Sequence, residues 1–345
     1  MSKLFEPFSV KNLTLKNRIV MPPMCMYCAP NGTPEDWHFT HYATRAIGGA
    51  GLIILEAVGI SPEGRISDLD LGLWKDDQGV ALRSLAERIR ENGAKAGIQL
   101  NHAGRKSEVK DIVIESAEAL AYDANSRVPV AMTTADIRET TEEFRAAAKR
   151  ASDAGFDVIE IHAAHGYLLN QFLSPLTNNR TDVYGGTPKN RARFLGEVLE
   201  AISEVLPPEK TIFVRVTAEE YADGGNMPAD LAEQLNFVKD IGNGIDAVDV
   251  STGGLMPAVP KAFPGYQLPH AQIIRERTGL PVVGGGLITT PTEAEAAAAE
   301  GKVDLVFLGR ELLRNPYWPL TAAMELGDDV AWPKQYERAK PRSSK

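Results

Sequence analysis

Only two cysteines, Cys25 and Cys28, occur in 345 residues. Two thiols cannot build a disulfide framework or supply the four thiolates of an iron–sulfur cluster. No apolar run approaches the length that crosses a bilayer. The opening stretch, Met1-Ser2-Lys3-Leu4-Phe5-Glu6-Pro7, lacks the apolar region of a signal peptide. A cytoplasmic protein with no membrane partner is therefore expected. Basic runs are also missing, and 37 basic against 46 acidic residues give a net charge of −9. No nucleic-acid partner is expected, and any anionic ligand must be held by local cations. Gly284-Gly285-Gly286 is no dinucleotide fingerprint, because its spacing is wrong and no acidic residue follows at the right distance. Metal motifs are equally scarce. His162 and His165 have no H-E-x-x-H context and no clustered carboxylates. Cys25-Met26-Tyr27-Cys28 with His38 and His41 imitates a zinc site, but the two halves are too close and the ββα context is missing. Nor does that C-x-x-C open a helix in a thioredoxin-like unit.

What is present is an alternation of short β-rich runs and amphipathic helices from end to end. Candidate strands are Arg18–Met21, Leu52–Ala57, Lys95–Leu100, Asp157–His162, Thr211–Val216, Ala247–Val250, Pro281–Gly284 and Asp304–Leu308. Most are continuous apolar runs, as expected of parallel strands buried on both faces. Between them, Phe144, Ala147, Ala148, Ala151 and Ala154 recur at helical spacing, with Gly155 as a stop. Thr290-Pro291-Thr292-Glu293 reads as a capping box. Eight β-then-α units predict an α/β (β/α)8 TIM barrel as a single domain over residues 1–345. A doubly wound open sheet is the alternative, but no Pro/Gly/Ser-rich linker separates two lobes. Phe8–Val10 and Leu13–Leu15, flanking Lys11-Asn12, predict a short N-terminal β-hairpin that plugs the barrel's N-terminal mouth. Gly104–Pro129 is the longest stretch without periodicity, a candidate functional loop. The polar, basic tail Ala331–Lys345 is expected to be partly mobile.

A barrel places chemistry at the C-terminal ends of its strands. The richest such end is Glu160-Ile161-His162-Ala163-Ala164-His165-Gly166-Tyr167, with two imidazoles and a phenol just past a buried run. Imidazoles can hold a polar ligand and a phenol can deliver a proton. Other strand ends offer Pro22 to Cys28, Ala57, Gln99, the run His102-Ala103-Gly104-Arg105-Lys106, and Arg215 in an otherwise apolar strand. Arg215 is either ion-paired to a neighbouring strand's carboxylate, such as Glu56 or Glu160, or set to stabilise an electron-rich ring; Lys106 could share the latter role. Gly286 after strand seven and Gly309-Arg310 after strand eight occupy the usual phosphate site of this fold.

His162-Ala-Ala-His165-Gly-Tyr167-Leu-Leu-Asn-Gln-Phe-Leu-Ser-Pro, then Asn179-Arg180-Thr181-Asp182-Val183-Tyr184-Gly185-Gly186, resembles the Old Yellow Enzyme family nearly end to end. Pro23-Met24-Cys25-Met26-Tyr27 and His102-Ala103-Gly104-Arg105-Lys106 resemble its thermophilic-like, or YqjM-like, subclass. The resemblance implies an FMN-binding barrel that reduces activated C=C bonds of unsaturated carbonyl or nitro compounds, with NADPH or NADH as reductant. Pro23, Met24, Cys25, Ala57, Gln99 and Arg215 would line the flavin, and Gly286, Gly309 and Arg310 its phosphate. Cys25 would tune the flavin's potential. His162 and His165 would hold the substrate oxygen, Tyr27 would orient it, and Tyr167 would supply the proton. Lys106 and Arg338 would join the substrate site, Arg338 by reaching a neighbouring subunit, which implies a homodimer or homotetramer. Arg180, Asp182 and Tyr184 are expected to brace the barrel rim.

Overall fold

The computed structural model describes residues 1–258 and 260–341. Among these, eight parallel strands close into a barrel: β1 (Ile19–Met21), β2 (Leu52–Gly59), β3 (Lys95–Asn101), β4 (Val158–Ala163), β5 (Thr211–Thr217), β6 (Ala247–Ser251), β7 (Val282–Gly284) and β8 (Leu305–Phe307). They pair in sequence order, and β1 closes the ring by pairing with both β8 and β2. Eight helices form the outer layer: α1 (Asp36–Ile47), α2 (Asp76–Glu91), α3 (Thr134–Asp153), α4 (Arg193–Ser203), α5 (Pro228–Val238), α6 (Leu268–Thr278), α7 (Pro291–Ala299) and α8 (Trp318–Leu326). The fold is the expected (β/α)8 barrel. Each expected strand forms within a few residues of its apolar run, because every residue of β2, β4, β5 and β6 is buried. Outward side chains such as Ile98, Ile159 and Val214 meet Leu85, Phe144 and Val198 of the helical layer.

Two start and stop signals act as expected. The Glu293 amide donates to Thr290 Oγ1 at 3.3 Å, and the Thr290 amide donates to Glu293 Oε2 at 3.2 Å. Gly155 follows α3 at φ +85°.

The barrel interior is stratified. At its N-terminal end Val20, Leu52, Ile54, Val158, Phe213 and Leu305 pack against Phe8, Leu13 and Leu15 of the hairpin. The hairpin therefore plugs that mouth, pairing Phe8–Val10 with Leu13–Leu15. Towards the other end the lining turns polar, with Gln99, Glu160, Arg215 and Asp249 on four adjacent strands. A bulge in β2 serves the same end. Leu55 pairs with Ile98 and Ala57 with Gln99, so Glu56 is the extra residue. It restores Ala57 to the register of Gln99 while Glu56 meets α1, a re-aiming that bulges beside sites commonly perform.

Arg215 is ion-paired to a neighbouring strand's carboxylate, but the acid is Asp249 of β6 and not Glu56 or Glu160: Arg215 Nε lies 3.2 Å from Asp249 Oδ2. Glu56 instead accepts from Tyr42 Oη at 3.1 Å and from the Met26 amide at 2.8 Å. The long loop after β3 is tethered by two of its arginines. Arg105 is 1 % exposed and donates to Leu255 O at 2.6 Å, while Arg127 donates to Val109 O at 2.5 Å. In the tail, Lys334–Ala339 forms a 3-10 turn; residues 342–345 lie outside the described residues.

Candidate active site

The turn after β4 gathers the three rings. His162 and His165 stand with ring centres 5.2 Å apart, nearly perpendicular at 85°, and His162 and Tyr167 are 5.0 Å apart. Spacing alone would not do this; His165 adopts φ 58° and so folds its ring back over the strand end. Three bonds hold that strained residue. Its amide donates to Thr217 Oγ1 at 2.7 Å, and Lys106 Nζ donates to its carbonyl at 2.8 Å. Its Nε2 lies 2.7 Å from Ser251 Oγ, and Lys106 also ties in Gly254 O at 3.0 Å. Gly254 must be glycine here, since a Cβ would come within 2.9 Å of His165 Cα.

The electrostatics give the two histidines the same state. Burial pushes both well below the ordinary histidine value, and for His162 the adjacent His165, then Arg215 and Lys106, push further. Both rings are neutral at pH 7. The Ala164 amide donates to His162 Nδ1 at 3.3 Å, so His162 carries its proton on Nε2 and has that N–H to give. Tyr167 is held well above the ordinary phenol value by burial, then by Cys25 and Tyr27. It is a protonated acid at any working pH.

The loop after β1 supplies the facing wall. Cys25 and Tyr167 pack on the same apolar patch of Ala57, Ile66 and Ala103. Burial, then the negative charges of Asp70 and Glu56, push the Cys25 thiol up to about 12, so it is a thiol rather than a thiolate. Tyr27, 47 % exposed, stands at the rim with φ 51°. Lys106 lies 5.0 Å from the Tyr167 ring centre and 4.7 Å from that of Tyr122. Burial, then Arg105, bring it down to about 8.

A cavity of about 290 Å³ lies beside these groups, lined by Pro22, Pro23, Met24, Arg215, Gly286, Gly309 and Arg310, among others. Its far end has the features a phosphate needs. Gly286 sits at φ +95°, where a Cβ would strike the Tyr266 ring at 2.8 Å. Gly309 has no neighbour closer than 3.6 Å to a Cβ position, which leaves its backbone accessible. Arg310 and Arg314 supply local cations there. At the near end, Arg215 Nη1 makes only a 3.4 Å contact, to Pro23 O, which leaves guanidinium donors for a ligand. Apolar wall, available guanidinium donors and glycine-lined cationic end together fit FMN.

Of the sequence-predicted residues, Arg338 alone is remote. Its exposed 3-10 turn carries Tyr336, which lines a cavity with Lys16, Asn17, Gly49 and Gly93 at the hairpin end of the barrel. Arg180 donates to Ala117 O and Met132 O at 3.1 Å and 2.6 Å and pairs with Asp182, as a rim brace does. Sequence reasoning missed Ser251 and Asp249. A signal existed: Asp249 is an isolated acid in Ala247-Val248-Asp249-Val250, just as Arg215 is an isolated cation in its strand.

A model of the NADH:flavin oxidoreductase / NADH oxidase family matches residues 3–329. An NADPH dehydrogenase of Geobacillus thermodenitrificans is 52% identical over 337 residues, 97% of this chain and 98% of its own. One from Clostridium acetobutylicum is 50% identical over 339 residues, 98% of this chain and 99% of its own. Morphinone reductase superposes with a TM-score of 0.82 at 30% identity, covering 96% of this chain and 92% of its own. For 2-naphthoyl-CoA reductase the TM-score is 0.88 at 25% identity, covering 94% of this chain but only 52% of its own.

Proposed function

The chain belongs to the NADH:flavin oxidoreductase / NADH oxidase family and is an FMN-dependent NAD(P)H oxidoreductase; from that premise we propose that it is an ene-reductase of activated alkenes. FMN, when bound, supplies hydride transfer, from NADPH or NADH to the β-carbon of an unsaturated carbonyl or nitro compound, the two substrates using the site in turn. The observation that carries this reading is the ring cluster of His162, His165 and Tyr167, two neutral imidazoles beside a protonated phenol.

Each residue then has a definite task. Pro23, Met24, Ala57, Gln99 and Arg215 hold the flavin ring, and Gly286, Gly309 and Arg310 hold its phosphate. His162 and His165 donate to the substrate's carbonyl or nitro oxygen. As negative charge grows on that oxygen, a preorganised donor stabilises it by about 3 kcal/mol. Neutral imidazoles suit the task because they bind oxygen without trapping it as a charged pair. Tyr27 orients the oxygen from the rim. Tyr167 protonates the α-carbon, its raised pKa keeping the proton available until the substrate's carbon is basic enough to take it. Cys25, an uncharged thiol on the patch that Tyr167 shares, tunes the potential of the ring without adding charge. Lys106 fixes the turn that carries His165 and lines the substrate's approach. Arg338, being at the opposite mouth, can serve only a neighbouring subunit's site, in a homodimer or homotetramer. Tyr167→Phe that leaves enone turnover unchanged would remove that residue from its role. Cyclohexenone turnover with NADPH, and no oxidation of lactate, is the expected pattern; the reverse would identify a hydroxy-acid oxidase and overturn the reading.

A further inference from the structure

Beside Gln99 and Arg215, the polar layer of the barrel holds two carboxyl groups to which the proposed reduction gives no task. Glu160 of β4 and Asp249 of β6 are both 0 % exposed. Gln99 Nε2 donates to Glu160 Oε1 at 2.8 Å, and Arg215 Nε stands 3.2 Å from Asp249 Oδ2. That last contact lies off the N–H axis, so it compensates charge without a directed hydrogen bond. Glu160 Oε2 and both Asp249 oxygens accept no hydrogen bond from any donor among the described residues. The two carboxyl groups, fully buried on β4 and β6, share this layer with a single cation, Arg215, which touches Asp249. Two acids removed from water beside one cation cannot both be charged without leaving a buried negative charge unpaired, so one of them keeps its proton.

The surroundings set where the proton resides. Arg215 touches Asp249, so the negative charge is cheapest there and the proton belongs to Glu160. Burial, then Asp249, holds Glu160 well above the usual carboxylate range; burial also raises Asp249, but Arg215 opposes it. The charged or titratable groups facing this layer are few. Arg215 and the neutral His162 stand at matching register on β5 and β4. Ala57 of β2, Val283 of β7 and Phe307 of β8 are apolar, the Phe307 ring lying 5.8 Å from the Arg215 guanidinium carbon.

We propose that Glu160 and Asp249 act as one singly protonated carboxyl pair that positions Gln99 and Arg215 against the FMN ring and keeps this layer electrically neutral. These are positioning residues, acting through the two side chains that would touch the ring. Gln99, its amide nitrogen held by Glu160, has its side-chain oxygen left to accept from a ligand. Arg215, partly offset by Asp249, favours an electron-rich ring less than a free guanidinium would. A flavin must be reduced by one substrate and reoxidised by the next, and the pair keeps Arg215 from favouring the first step at the expense of the second.

The inference rests on bound FMN and not on the identity of the alkene, so the test uses none. FMN-loaded protein is reduced chemically against a reference dye, and flavin fluorescence monitors retention. Asp249→Asn leaves Arg215 uncompensated, and the equilibrium constant for reducing bound FMN rises roughly tenfold for a unit charge at such a distance. Glu160→Gln exchanges a neutral acid for a neutral amide, and the same constant stays within about twofold at pH 7. An unchanged constant in Asp249→Asn, or an equal rise in both variants, overturns the proposal. Should Asp249→Asn fail to retain FMN, Glu160→Gln decides alone: a rise at pH 7 means Glu160 was charged and overturns the proposal, while an unchanged constant supports it.

Discussion

The two mouths of this barrel are built from the same eight strands and differ in almost every other respect. At the hairpin end, Phe8, Leu13 and Leu15 meet Val20, Leu52 and Ile54 in an apolar plug. At the other end, His165 is held at positive φ, a buried His162 stands against the half-buried His165 and Tyr167, and guanidinium donors line a cavity. Apolar packing asks only for complementary volume and rewards burial directly. Polar burial costs free energy unless each group finds a partner, so the site end carries costs that the plug end must offset. Stability and chemistry are thus divided along the barrel axis.

Substitutions at the two ends should therefore fail in different ways. The largest expected effect is that of Tyr167→Phe, which slows enone reduction by roughly 10²–10⁴-fold while FMN reduction by NADPH, followed by stopped flow, keeps its rate. His162→Ala should lower kcat by roughly 10²–10³-fold and weaken phenol binding in a spectral titration; an unaltered titration would deny His162 its place at the substrate oxygen. At the plug, Leu15→Ala should cost about 2–5 kcal/mol of stability, read by denaturant unfolding, with turnover per folded molecule unchanged. Altered turnover there would show that the ends are coupled, and the division along the axis would fail. The smallest effect concerns Lys106. Because its ammonium titrates at about 8, its charge is lost as pH rises through that value, and kcat/KM should acquire a shallow alkaline limb that Lys106→Met abolishes. A limb that persists in the variant belongs to another group.

The plug end was readable because its information is local. An apolar run announces a buried strand, and two short runs around Lys11-Asn12 announce a hairpin. The site end was readable in part. His162, His165 and Tyr167 were expected together because six consecutive residues carry them past a strand end. Arg215 was recognised as anomalous, and a neighbouring strand's carboxylate was one of its two expected partners, but the examples offered were Glu56 and Glu160. The β2 bulge removes Glu56 from that choice: one extra residue turns it toward α1, and Tyr42 and the Met26 amide hold it. Asp249 escaped notice because an acid in a strand has meaning only beside the cation it faces.

Hydrophobic period, turn chemistry and strand spacing, all short-range properties, were enough for the sequence by itself to determine the barrel, its plug and the strand ends where chemistry belongs. Only closure of the barrel decided which charges meet. Register between strands separated by dozens of residues brings Arg215 to Asp249 and Gln99 to Glu160, and removal from water decides their protonation. Neither register across a closed sheet nor desolvation is a property of any one segment of the chain.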